Sequence, residues 1–202
     1  MKNLNLFPIP VSKFELDPMS DEEENFLKKS DFELLNSEYL DARNSINKYV
    51  LNEKPLVNLK KRIQECIDKY KYIMMRCDQE IYITNSWVNL LEKGKRHSLH
   101  YHGNSFISGV FYVETNNNHP GIRFENPSRM WPLTWQRTKF NDFNSESWVE
   151  TVEKNTLILF PSLLWHSVDI NNYEKERISL SFNTFIKGKL STDSYLAELG
   201  LK

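Results

Sequence analysis

The chain changes its hydrophobic rhythm about a third of the way along. Before residue 80 the apolar positions recur at helical spacing; after it they alternate or run together as in strands. Ser20-Asp21-Glu22-Glu23 matches a capping box with acids in the first turn, which predicts a helix running to about Lys29. From Pro55 a second helix is expected. Leu56, Leu59, Ile63, Cys66, Ile67 and Tyr70 form its apolar stripe, and Lys60, Lys61 and Arg62 are left for solvent. Ahead of both, Leu6-Phe7-Pro8-Ile9-Pro10-Val11 reads as an extended arm, because each proline keeps its predecessor out of the helical region. The stretch from Asp31 to Val50 fits neither pattern.

The second part predicts strands over 80–90, 98–102, 107–114, 121–125, 156–160 and 178–185, rich in Ile, Val, Tyr, Phe and Thr. Asn116-Asn117-Asn118-His119-Pro120-Gly121 is a turn. Residues 127–146 are a longer insertion containing Trp131 and Trp135, placed where a substrate mouth could be built or where tryptophans pack on a wall. Helices first and strands after predict one domain over 1–202. The arm and supporting helices occupy 1–78, an antiparallel β sandwich or barrel 79–187, and a tail 188–202.

A formal net charge of -1 removes the global positive field expected of a nucleic-acid binder. The two cysteines, Cys66 and Cys77, make no C-x-x-C pair and read as reduced thiols. Met1 to Leu6 lacks the features of a signal peptide, and no apolar run is long enough to span a bilayer. The expected location is therefore the cytoplasm. Oligomeric state is not legible.

Three of the five histidines fall in His97-Ser98-Leu99-His100-Tyr101-His102. On a regular strand alternate residues share a face, so His100 and His102 point one way and His97 the other. Two imidazoles at this spacing make a metal clip that needs a third ligand. His166, after the apolar strand 156–160 and the turn Pro161-Ser162, is the candidate. Imidazole suits several metals. His97 and His119 read as structural or surface residues. Arg177-Ile178-Ser179-Leu180-Ser181-Phe182-Asn183 alternates cleanly, with Arg177, Ser179, Ser181 and Asn183 on the polar face. That face meets either water or an internal pocket, where the arginine fork suits a carboxylate.

In this order the motifs resemble the 2-oxoglutarate- and Fe(II)-dependent dioxygenases. They are His100-x-His102, Ile107-Ser108-Gly109-Val110-Phe111-Tyr112-Val113, Leu159-Phe160-Pro161-Ser162 with His166-Ser167-Val168, and Arg177-Ile178-Ser179. Within that superfamily the Leu6 to Pro10 arm and Ser86-Trp87-Val88-Asn89 resemble a prolyl-hydroxylase-like subgroup. The resemblance implies a mainly β fold with N-terminal helices, a double-stranded β-helix (a jelly-roll, cupin-like barrel). It implies Fe(II) held by His100, His102 and His166, with 2-oxoglutarate and O2 as cosubstrates. Arg177 would take the distal carboxylate of 2-oxoglutarate, with Ser179, Tyr112 and Asn89 as further cosubstrate contacts. The implied activity is hydroxylation of a peptide, metabolite or nucleobase. One departure stands out: the superfamily usually has Asp or Glu where this chain has His102, and Glu114 and Glu125 lack the spacing to replace it. Two rivals stay open, a cupin-type metalloenzyme without 2-oxoglutarate and a non-catalytic metal-binding jelly roll. Gly94 and His100-x-His102 fit a first cupin motif, but no Glu follows at the expected distance.

Overall fold

The computed structural model describes residues 1–2, 4–34, 41–128, 136–191 and 197–201. Helix α1 spans Asp21–Lys28 and carries the expected capping box: Glu23 N–H donates to Ser20 Oγ at 3.2 Å, and Ser20 N–H to Glu23 Oε2 at 2.8 Å. Helix α2, Val57–Tyr70, buries Leu59, Ile63, Cys66, Ile67 and Tyr70. Arg62 departs from the expectation of a solvent-facing cation. Its guanidinium grips both oxygens of buried Glu23, at 3.0 and 2.8 Å, and locks α1 to α2. One carboxylate thus caps one helix and docks the other. The Tyr70 hydroxyl donates to Pro10 O at 2.6 Å and ties the N-terminal arm to α2.

Two antiparallel sheets follow. The larger has the order β1 (Ser12–Glu15), β9 (Thr156–Pro161), β6 (Ile107–Glu114), β11 (Arg177–Leu190), β4 (Glu80–Leu91), β3 (Arg43–Ser45) and β2 (Phe32–Glu33), with β12 (Leu199–Leu201) paired to β11. The smaller has the order β5 (His97–His100), β10 (His166–Val168), β7 (Ile122–Glu125) and β8 (Ser147–Glu150). The larger sheet is covered on both faces. Phe111, Val113, Leu157, Leu159, Ile178, Leu180 and Phe182 pack in one cluster with Leu59, Ile63 and Ile67 of α2. Val110, Tyr112, Ile158 and Phe160 meet Ile122 and Phe124 of the smaller sheet in another. Burial on both sides is why β6 and β9 read as nearly unbroken apolar runs. The architecture is the expected double-stranded β-helix braced by N-terminal helices.

Gly109 marks a close approach of two strands. A Cβ there would lie 2.2 Å from Phe182 Cζ, across the β6–β11 pair. Within the stretch 188–202, residues 188–190 are the end of β11, and β12 pairs back on them. Trp131 and Trp135 lie outside the described residues.

Candidate metal and cosubstrate site

A cavity of about 320 Å³ opens between the two sheets, at the small end of the range for ligand pockets. His100, His102 and His166 line it, as do Asn89, Tyr112, Arg177 and Ser179. All seven sequence-predicted site residues therefore share one cavity. The Asn116–Asn118 turn does not line it.

His100 and His166 are register partners on adjacent strands β5 and β10. His102 lies two residues past the end of β5 and reaches the same point from the following turn. One ring nitrogen from each histidine lies within 4.8 Å of the others. His102 Nε2 and His166 Nε2 are 3.3 Å apart, and their rings are parallel to within 3°. Two imidazoles bound to one ion at about 2.1 Å place their nitrogens roughly 3.0–3.4 Å apart, so the pair fits a single metal. His100 Nδ1 lies 2.7 Å from Ser98 O, and His166 Nδ1 lies 2.9 Å from Leu164 O. A carbonyl only accepts, so each of these Nδ1 atoms carries the proton and each Nε2 keeps its lone pair. Burial, followed by repulsion from His100, lowers the His102 pKa to about 4 and the His166 pKa to about 2. Neutral imidazoles are the ligating form. Among the described residues no carboxylate joins the cluster. Glu114 instead pairs with Lys28 at 2.6 Å.

His97 faces the cavity, not away from it, with its ring 4.8 Å from that of His100. The reason is a register shift: His100 pairs with His166, but His97, three residues back, pairs with Val168, only two residues on. The extra residue is a β-bulge, which breaks the alternation.

The anion end of the cavity is built on three neighbouring strands of the large sheet. Asn89 on β4 faces Ser179 on β11, and Ser179 faces Tyr112 on β6. Arg177 comes from the start of β11 and is 4% exposed. Its guanidinium carbon lies 4.8 Å from the centre of the Tyr112 ring. Arg177 Nε and the Tyr112 hydroxyl are both buried without a hydrogen-bond partner. Burial lowers the Arg177 pKa and pushes the Tyr112 phenol up to about 12, with the guanidinium opposing the latter. A buried cation and a buried donor left unmatched call for an anionic ligand.

Three further residues complete this wall, and sequence reasoning assigned them no role. Asn89 Oδ1 accepts from Asn44 Nδ2 at 2.6 Å and Trp87 Nε1 at 2.9 Å, while Asn89 Nδ2 donates to Ser181 Oγ at 2.8 Å. Trp87 also stacks over His102, with ring centres 5.7 Å apart. The Ser86-Trp87-Val88-Asn89 motif held the signal for Trp87, and Ser181 lies on the alternating polar face of β11. Asn44 lies in the stretch that fitted neither pattern.

Residues 85–183 match the family described as "Putative 2OG-Fe(II) oxygenase". Over that stretch the chain carries the pattern of the 2OG-Fe(II) oxygenases. The family's name carries the cofactor set expected from the sequence: Fe(II), 2-oxoglutarate and, for an oxygenase, O2. No curated protein sequence matches the chain. Solved structures share the fold at low identity. The chain is similar to the non-heme alpha ketoglutarate dependent epimerase SnoN from nogalamycin biosynthesis, at 11% identity over 88% of this chain and 78% of that one, with a TM-score of 0.63. It is similar to a Pseudomonas putida prolyl-4-hydroxylase at 12% identity over 89% and 94%, with a TM-score of 0.60. It is also similar to HygX from Streptomyces hygroscopicus, solved with nickel, 2-oxoglutarate and hygromycin B, at 13% identity over 87% and 82%, with a TM-score of 0.55. Among the described residues no helix is long and apolar enough to cross a membrane.

Proposed function

We propose that this protein is a hydroxylase that holds Fe(II) with His100, His102 and His166 and anchors 2-oxoglutarate with Arg177. The observation that carries the reading is the pairing of two unmet needs in one cavity. At one end three neutral imidazoles converge; at the other the Arg177 Nε and Tyr112 hydroxyl are buried without partners. A ligand with a chelating keto acid at one end and a carboxylate at the other answers both. Fe(II) and 2-oxoglutarate, when bound, supply activation of O2, with succinate and carbon dioxide as coproducts and one oxygen atom passed to the substrate.

The protein's part is positioning. The carbonyls of Ser98 and Leu164 hold the His100 and His166 rings by their Nδ1–H groups. Phe160 packs edge-on to His166 with ring centres 4.7 Å apart and keeps water from that side. Arg177 would receive the distal carboxylate as a charge-assisted, forked contact, with the Tyr112 hydroxyl donating beside it. Ser179 lies between Tyr112 and Asn89 in register, so its hydroxyl faces the same ligand. Asn89 would support this wall from behind. The hydroxylase reading draws on the prolyl-hydroxylase-like arm and Ser86-Trp87-Val88-Asn89 motif, and on the near-complete mutual coverage with the Pseudomonas putida structure.

Anaerobic titration of the purified protein with Fe(II) and then 2-oxoglutarate tests the reading. The expected result is a visible metal-to-ligand charge-transfer band, lost in His102→Ala and weakened in Arg177→Ala. Bound iron with no band would point to a cupin-type site without 2-oxoglutarate. No iron binding would point to a non-catalytic module.

A further inference from the structure

The His102–His166 pair poses a problem that a carboxylate ligand would not. A carboxylate draws a cation by charge, whereas two neutral imidazoles with nitrogens 3.3 Å apart do not attract each other strongly and must be held by what surrounds them. His102 belongs to no strand, so no sheet ladder holds it. Its backbone N–H instead donates to Ser162 O at 2.9 Å, in the turn that leads to His166.

Ser162 is also the centre of a buried chain of polar side chains. Its Oγ lies 2.7 Å from Ser105 Oγ and 2.9 Å from Ser108 Oγ. Ser108 Oγ in turn donates to Asn183 Oδ1 at 2.9 Å. Ser108 and Ser162 are each 1% exposed. The chain joins four pieces of backbone: the loop after His102, strand β6, the turn before His166 and strand β11. A buried network of this kind specifies one arrangement when its members are satisfied.

We propose that Ser105, Ser162, Ser108 and Asn183 form a clasp that positions His102 at ligand distance from His166, supplying by preorganisation what a neutral ligand does not supply by charge. Ser162 fixes the backbone of His102, and Ser105, Ser108 and Asn183 in turn fix Ser162. These are positioning residues; none lies among the three converging ligands. The inference rests on the reading of His102 as a ligand.

The test is competition titration of the full chain with Co(II), read by affinity and by the d–d absorption band, with a thermal melt of the metal-free protein alongside. Ser162→Ala and Asn183→Ala are expected to weaken Co(II) binding about 10–100-fold and to shift the band. Asn183→Asp, which keeps an acceptor oxygen towards Ser108, is expected to retain tight binding. Wild-type affinity with an unchanged band in both alanine variants would overturn the clasp. Should Ser162→Ala fail to fold, the partly buried Asn183 pair decides alone: loss in the alanine variant and retention in the aspartate variant support the clasp, and equal affinities overturn it. His102→Ala separates the two levels. Unchanged Co(II) affinity there would overturn the ligand reading itself; lost affinity there with neutral clasp variants would overturn only the clasp.

Discussion

Arg177 lies over the face of Tyr112 at 4.8 Å, and these two residues hold the unmatched polar atoms of the cosubstrate wall. A buried guanidinium with an unmatched Nε costs stability until an anion arrives. Site formation and ligand binding should therefore pull in opposite directions. Arg177→Met should leave the melting temperature of the ligand-free protein unchanged or raise it, because it removes a desolvated charge. The same variant should weaken 2-oxoglutarate binding by about 10–150-fold, the equivalent of a lost charge-assisted contact of about 1.5–3 kcal/mol. Tyr112→Phe should cost less, about 3–10-fold. Calorimetric titration and thermal melts check both halves. A destabilised Arg177→Met protein with normal 2-oxoglutarate affinity would mark Arg177 as a structural residue.

Acid should undo the metal-free protein through its histidines. Burial first, then mutual repulsion, lowers His97 to about 3, His102 to about 4 and His166 to about 2. The folded state thus holds these rings neutral where the unfolded chain, titrating near the ordinary value of about 6.5, takes up protons. Stability from this source is present above about pH 6.5 and is lost as pH falls towards the folded values, at up to about 1.4 kcal/mol per pH unit for each group. Denaturant midpoints from pH 7.5 down to 4.5 should fall steadily. Added Co(II) should raise the midpoint at pH 7.5, and the gain should shrink in acid as protons compete for the same nitrogens. A midpoint flat across this range would contradict the burial of the cluster.

Gly109 is where two strands of the large sheet allow no side chain. Phe182 is fully buried, and its ring tip occupies the space a Cβ would take, 2.2 Å away. Gly109→Ala must push the ring or the backbone aside, at a cost of roughly 1–3 kcal/mol. For a chain of this length that lowers the melting temperature by about 3–10 °C. Phe182→Leu in the same background should recover part of the loss by vacating the ring position. If Gly109→Ala melts as the wild type does, the packing at this crossing is looser than the structure shows.

The sequence revealed the fold where a strand is long and buried on both faces. Residues 107–114 and 156–160 are nearly continuous apolar runs, and β6 and β9 lie there. It hid most of the short strands, which owe their existence to neighbours. Arg43-Asn44-Ser45 has no apolar residue; it forms β3 because β4 offers a free edge and Ser45 Oγ accepts from Val88 N–H at 2.9 Å. The site was legible in its chemistry because ligand types recur at telling intervals, and all seven predicted residues meet in one cavity. Its exact facing was not. His97 was misplaced because strict alternation assumes an unbroken ladder, and a bulge in β5 leaves no mark in the residues themselves. Asn44 and Asn183 were assigned no part for a similar reason: their roles come from register and turn contacts, which composition does not record.

Asn89 separates support from contact at this site. Its carboxamide oxygen already takes two donors, Asn44 Nδ2 and Trp87 Nε1, and its nitrogen gives one short bond to Ser181 Oγ and a long one, 3.5 Å, to Ser179 Oγ. A group so fully engaged with protein has little left to offer a ligand. Asn89→Ala should therefore act chiefly through its neighbours. It strands the Trp87 indole N–H and the Asn44 amide, both part of the wall beside His102, at a cost of roughly 1–3 kcal/mol for each buried group left unmatched. The ligand-free protein should melt several degrees lower, while 2-oxoglutarate binding weakens only a few-fold, well short of the Arg177→Met loss. The reverse pattern, an unchanged melt with a loss as large as that of Arg177→Met, would make Asn89 a direct cosubstrate contact. Trp87→Phe sharpens the distinction: it removes one donor to Asn89 and keeps the ring over His102, so combining it with Asn89→Ala should add little to the stability loss if the two residues act as one unit.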